Sequence, residues 1–314
     1  MIGRRTVRQS ALVGAVAGVL VLALAGCQTG RADDGGDAGA GGGGDVSDTD
    51  LPEVNGDGST LVLQVHSAGG FVPWGYDFAE VPSLSVYADG TAIVHGPMTL
   101  EYPGEALPNL QVVRLPDGAL QEIVAAAAAA DLLATAPDYG MPGITDLPTT
   151  RVTIAVGGQT YEHAAYALGA GPGETSAEDE GMFDGTESGL TEEQSAARVA
   201  LAQFVQQAND LVGATGAEES YAITALGVMA MAVEPSAQVD AEVIEPALVP
   251  WPVPGVALAG AERCALVEGA DTEALLTTLA DANRLTQFEQ DGVVYEAWFR
   301  PLLPHEASCT DLVG

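Results

Sequence analysis

The chain has 314 residues, with 44 acids against 10 basic residues and a formal net charge of −34. All ten basic residues are arginine. The lack of lysine excludes a phosphate-binding Walker lysine, a Schiff base and the Ser-x-x-Lys chemistry of penicillin-binding proteins. So acidic a chain also repels nucleic acid, whose affinity rests on Lys and Arg neutralising phosphates.

The N-terminus reads as a signal peptide over residues 1–26. Arg4, Arg5 and Arg8 give a basic start, 11–25 is an uncharged apolar run, and Leu24-Ala25-Gly26-Cys27 closes it. That last sequence is a lipobox, in which small residues suit the signal peptidase and the Cys27 thiol takes a diacylglyceryl group. The apolar run is about 15 residues long, short of the roughly 20 that span a bilayer. Lipidation at Cys27, with its palmitate-type acyl chains, therefore predicts a protein held on the extracytoplasmic face of the cell membrane. Arg4-Arg5-Thr6-Val7-Arg8 leaves both the general and the twin-arginine export routes open. Loss of 1–26 removes three arginines and no acid, so the mature chain is more acidic still. Anionic headgroups do not attract it, and anchoring falls to the lipid, for which two or more chains suffice.

Residues 27–58 are rich in Gly, Asp and Ala and have little to bury, which predicts a disordered tether. A flexible coil of that length spans on the order of 30 Å. Beyond it the pattern is α+β. Leu61 to His66 alternates as a half-buried strand does. The runs 84–87 and 91–95 flank Ala88-Asp89-Gly90, and 151–156 and 159–164 flank Gly157-Gly158; both are hairpin signals. Asp117 is placed to cap a helix running through the alanines at 125–130 to Leu133. Thr191 and Gln194 form a capping box for a second helix, whose stripe Ala197, Leu201, Phe204, Val205, Ala208 and Leu211 has helical spacing.

After Gly216 the style changes. Tyr221 to Val233 predicts one buried strand, with a core helix as the alternative. A proline-rich stretch around Trp251, a helix over 271–283, a strand over 293–299 and a tail through Cys309 follow. The hairpins argue against a series of crossover helices. The expectation is a first α+β domain over 59–214, an antiparallel hairpin-rich sheet with packed helices, and a smaller disulfide-stapled α+β domain over 215–314. In an oxidising compartment Cys264 and Cys309, the only thiols left once Cys27 is lipidated, are expected to pair.

Candidate sites compete with plainer readings. Glu53-x-Asn55-x-Asp57-Gly58, with Gln64 eleven residues after Glu53, half-matches a calcium loop. The closing ligand should be a bidentate Glu, however, and here it is a neutral Gln within a strand. The acid-rich segment 174–193 could collect cations, but a solvated loop is commoner. His66, His95, His163 and His305 are scattered and form no zinc-binding helix, so no metal site, no cofactor and no catalytic residue is assigned. Trp74 and Tyr76 could line a sugar cleft or simply anchor their glycine-rich loop. No Gly-x-Ser-x-Gly elbow occurs.

The lipobox, Val86-Tyr87-Ala88-Asp89-Gly90, Asp138-Tyr139-Gly140-Met141-Pro142 and Arg300-Pro301-Leu302-Leu303-Pro304 together resemble the uncharacterised secreted lipoproteins of high-GC Gram-positive bacteria. The resemblance runs from Cys27 to the end and implies a location, with no activity to carry over. The functional expectation is a non-enzymatic binding or interaction protein of the cell envelope. Its partners are the membrane, through the lipid, and an unnamed envelope protein or ligand. The alternatives are a carboxylate- or histidine-dependent extracellular hydrolase and a cation-responsive module.

Overall fold

The alternating run after Thr60 forms β1 (Leu61–Ala68), which sits third in a seven-stranded sheet. The computed structural model describes residues 51–170, 189–214, 218–233 and 244–312. The signal peptide, Cys27, most of the tether and most of the acidic 174–193 segment lie outside these residues. The two predicted hairpins flank β1. β2 (Leu84–Tyr87) and β3 (Thr91–His95) lie on one side, β5 (Thr149–Val156) and β6 (Gln159–Tyr166) on the other. With β4 (Leu110–Arg114) and β7 (Glu218–Ser220) the order is β6-β5-β1-β2-β3-β4-β7, antiparallel throughout.

One face of this sheet carries Leu63, Val65, Val152, Ile154 and Ala165, all buried. Beyond a one-turn α1 (Tyr76–Ala79), α2 (Ala119–Ala129) packs against it through Ile123, Val124 and Ala127, and α3 (Glu192–Gly213) through Leu201, Phe204 and Ala208. The capping box of α3 is present as the sequence predicts: Gln194 N–H donates to Thr191 Oγ1 at 3.1 Å and Thr191 N–H to Gln194 Oε1 at 2.9 Å. The start of α2 differs from expectation. Its N-cap is Gly118, at φ 89°, with no side-chain cap. The chain enters α2 through a tight turn in which Ala119 N–H bonds Pro116 O, so Asp117 is not placed to cap. The helix also stops short of Leu133. Asp131 turns left-handed at φ 56°, and Asp131 and Leu132 donate to Ala128 O and Ala127 O, a Schellman ending. Residues 51–58, expected as the end of the tether, include Leu51 and Val54 packed on this core.

Within 221–233 the expected buried strand forms as β8 (Ala225–Ala232), which begins a second sheet; just before it β7 pairs with β4, and Tyr221 N–H bonds Leu110 O. That sheet adds β9 (Leu248–Pro250), β10 (Ala265–Glu268), β11 (Gln287–Gln290) and β12 (Val293–Pro301) in the order β10-β8-β12-β11-β9. Only the β9–β11 pairing is parallel. Its core holds Trp251 with its ring centroid 5.6 Å from Phe288 and 6.4 Å from Phe299, together with Leu275 and Leu279 of α4 (Ala270–Leu279). The fold is α+β. Cys264 and Cys309 are disulfide-bonded, fixing α5 (Cys309–Leu312) beside β8. Gly227 makes room there, since a Cβ would run into the end of Leu312 and lie 3.1 Å from Phe78.

The other face of the first sheet is half covered. Leu303 and Val81 close over Tyr87, Ile93 and Leu110, with Tyr221 beside them. At the β5–β6 end the same face is open, and Arg151, Glu162 and Ala164 are exposed there.

Candidate functional site

The β5–β6 hairpin turns through Gly157 and Gly158, both at positive φ (58° and 74°). A two-residue loop with positive φ at both positions makes Val156 and Gln159 a hydrogen-bonded pair. Bonded and non-bonded pairs then alternate, so the N–H and C=O of Glu162, Ala164 and Tyr166 point away from β5. Two observations fix this parity: Ala167 N–H bonds Pro148 O at 2.8 Å, and Tyr166 O accepts from Arg198 Nη1 at 2.9 Å. Arg198, fully buried in α3, places its Nη2 on Ala167 O at 2.7 Å. β6 has no strand beyond it among the described residues. Among the described residues nothing bonds the outward backbone groups of Glu162 and Ala164.

Those groups open on a cleft of about 400 Å³, whose far wall is the segment from Ala136 to Gly140. The stretch Asp138–Gly140 of that wall is held in place. Asp138 Oδ1 accepts from Gly140 N–H at 2.8 Å, and Oδ2 accepts from Gln194 Nε2 at 2.9 Å. The Gly140 N–H first, and then Gln194, hold the Asp138 carboxyl below its ordinary range. Gly140 is left-handed (φ 63°), and a Cβ there would meet Gln194 and Leu190 at 2.7 Å. Tyr139 is buried, with its OH 2.7 Å from His163 Nδ1, while His163 Nε2 lies 2.9 Å from Leu132 O. A carbonyl only accepts, so Nε2 donates to Leu132 O; on a neutral ring Nδ1 then accepts and Tyr139 donates. Burial pushes the Tyr139 phenol up to about 12. Both nitrogens of His163 are thus engaged, and the ring serves as structure.

A second polar assembly lies under the C-terminal arm. Arg300 and Glu306 form a buried two-bonded ion pair at 2.9 and 2.8 Å. Arg300 also donates to Glu80 O and Pro301 O, both at 3.0 Å, and Glu306 accepts from Leu303 N–H at 2.7 Å. His305 stands between Tyr87 OH (3.0 Å) and Gln64 Nε2 (3.2 Å). Because Gln64 Nε2 can only donate, His305 Nε2 accepts, Nδ1 carries the proton, and Tyr87 accepts it. His66, on the next β1 position facing this side, has a buried Nε2 without a hydrogen-bond partner among the described residues. Burial holds both histidines below their ordinary pKa; Arg300 adds to this, and Glu306 opposes it.

The other sequence candidates separate. Asp57 Oδ1 accepts from Ser59 N–H at 2.9 Å and Ser59 Oγ at 2.7 Å, and Asn55 reaches only Glu53. Gln64 belongs to the His305 assembly, so the half-matched calcium loop is not gathered. Among the described residues no group of three His, Cys, Asp or Glu is placed to hold a metal ion. His95 bonds Val81 O. Tyr76 packs edge-on to Trp298 at 6.3 Å beneath Arg284, while Trp74 stays partly exposed. Sequence reasoning did not single out the cleft. Its one usable signal was Asp138-x-Gly140, a carboxylate two residues before a glycine, as in a self-bonded turn.

The site is therefore a polar cleft with a hydrogen-bonded wall along a sheet edge in an α+β fold. No family model, no curated protein and no solved structure matches the chain.

Proposed function

We propose that this chain is an extracytoplasmic lipoprotein, anchored through lipid on Cys27, whose folded part binds an envelope partner at the cleft beside β6. The observation that carries the reading is the pairing of unbonded backbone groups at Glu162 and Ala164 with a wall already fixed by Asp138, Gln194 and Tyr139. A preformed wall spares the ligand the cost of ordering it. A photo-crosslinking residue at position 162, in the tethered protein on cells, should capture a discrete partner; the same residue at exposed Glu122 on α2 should not. Equal capture by both would remove the cleft from the proposal.

The anchor has its own test. A fatty-acid analogue supplied to expressing cells should label the wild type and leave Cys27→Ala unlabelled; equal labelling would end the lipid reading.

A hydrolase reading is favoured by one feature, Asp138 and Glu162 lining the same cleft. Asp138 is a poor general acid, because both oxygens accept hydrogen bonds that favour its ionised form. Turnover of a cell-wall glycan, abolished by Glu162→Gln, would establish that reading instead.

A further inference from the structure

Among the described residues the two sheets have four outer strands. Three are short: β7 and β9 have three residues each, and β10 has four. β9 ends in Pro250. Proteins keep edges short, charged or proline-broken because a free edge templates pairing with another chain. β6 departs from this, with eight residues. Its C-terminal end is closed by Arg198 on Tyr166 O, and its middle faces the cleft.

We infer that the cleft takes an extended polypeptide as an added strand on β6, with a lysine or arginine opposite Glu162 and a small residue opposite His163. The inference rests on the binding reading of the cleft and names its ligand class. An added strand would bond the outward N–H and C=O of Glu162 and Ala164, the main-chain mode by which sheets capture peptides. Side-chain preference follows from the two faces. Tyr139 sits against His163 on the helix side, which leaves little room across from that position. Glu162 is exposed on the open side, where among the described residues no basic group bonds it, Arg151 lining the same cleft without pairing to it, so a cation across from it gains a cross-strand partner. The formal charge of −34 steers cationic chains toward the protein and opposes a second copy pairing edge to edge.

The probe is a nine-residue peptide alternating threonine and alanine, with lysine in place of the central threonine, titrated by fluorescence anisotropy into the full mature chain. Saturable binding is expected. Ala164→Pro should weaken it at least about tenfold while leaving the unfolding midpoint in place, because the lost N–H points into the cleft and not to β5. Glu162→Lys should weaken the lysine probe and strengthen one with a central glutamate. A peptide-side control needs no variant protein. N-methylation of the alternate residues whose N–H groups face β6 should abolish binding, and methylation of the other set should spare it. Absence of saturable binding to the wild type, or equal effects of the two methylation sets, overturns strand addition. If peptides fail while crosslinking at position 162 still captures a partner, the cleft remains a binding site and only its ligand class is wrong.

Discussion

His66 and His305 share a half-buried setting with Arg300, Glu306, Arg151, Asp77 and Asp311, and both rings are held below the ordinary 6.5 chiefly by burial. Unfolding returns them to water, where they take up protons near that value. Below it the unfolded state binds more protons than the folded one, so stability falls as pH drops from about 6.5 toward the folded values. Asp57 and Asp138 are also lowered, but from 3.8, so their contribution is lost only in stronger acid. Unfolding midpoints should therefore decline between pH 7 and 5. The double variant His66→Gln, His305→Gln should flatten that decline; an unchanged slope would show that neither ring drives it. The neighbouring ion pair is a sharper test. Arg300 and Glu306 are each about 5% exposed, or less, at the side chain. Arg300→Met leaves Glu306 charged, buried and unpaired, which costs about 3–5 kcal/mol. Denaturant unfolding should show that loss, with a comparable one for Glu306→Gln, because both Glu306 oxygens accept, the amide NH2 would face donors, and the Arg300 charge would be left unpaired.

Elements show where sequence reading succeeds and where it stops. The hairpins at 84–95 and 149–166 were legible because Asp-Gly and Gly-Gly turns and period-two burial are local facts. The α3 capping box was legible for the same reason. β4, β9, β10 and β11 are three to five residues long and too short for a period to register. The apolar run that forms β8 was legible, whereas Glu218–Ser220 just before it carries no such signal and becomes β7 only by pairing with β4. The cleft was illegible because it depends on which strand ends a sheet. The disulfide was predictable from compartment and cysteine count, and it closes a separation of 45 residues. Cys264→Ser with Cys309→Ser should cost about 4 kcal/mol on the chain-entropy account. Hydrogen exchange should speed up first at Leu303 and Ala307, in the arm that the bond holds near the first sheet. Uniform acceleration across both sheets would mean that the arm has no special dependence on the bond.

At the scale of the molecule, the proposed domains over 59–214 and 215–314 each correspond to one sheet's main strands, yet the later segment finishes the earlier one. β7 adds the last strand to the first sheet. Leu303 packs on Tyr87, Ile93 and Leu110, and Arg300 donates to Glu80 O across the join. His305 reaches Gln64 and Tyr87. A fragment ending at residue 214 would expose those apolar side chains and leave the fully buried Tyr87 open to water. Burying a side chain of that class is worth roughly 1.5–3 kcal/mol, and several are involved on either side. A protease site inserted between residues 214 and 218, cut after folding, should therefore give two pieces that run together on a native gel and separate only in denaturant. The nicked protein should keep one cooperative melt, whereas residues 51–214 expressed alone should melt lower or fail to fold. Free separation under native conditions, with the 51–214 piece keeping its midpoint, would show that the arm and β7 rest on the first sheet without stabilising it.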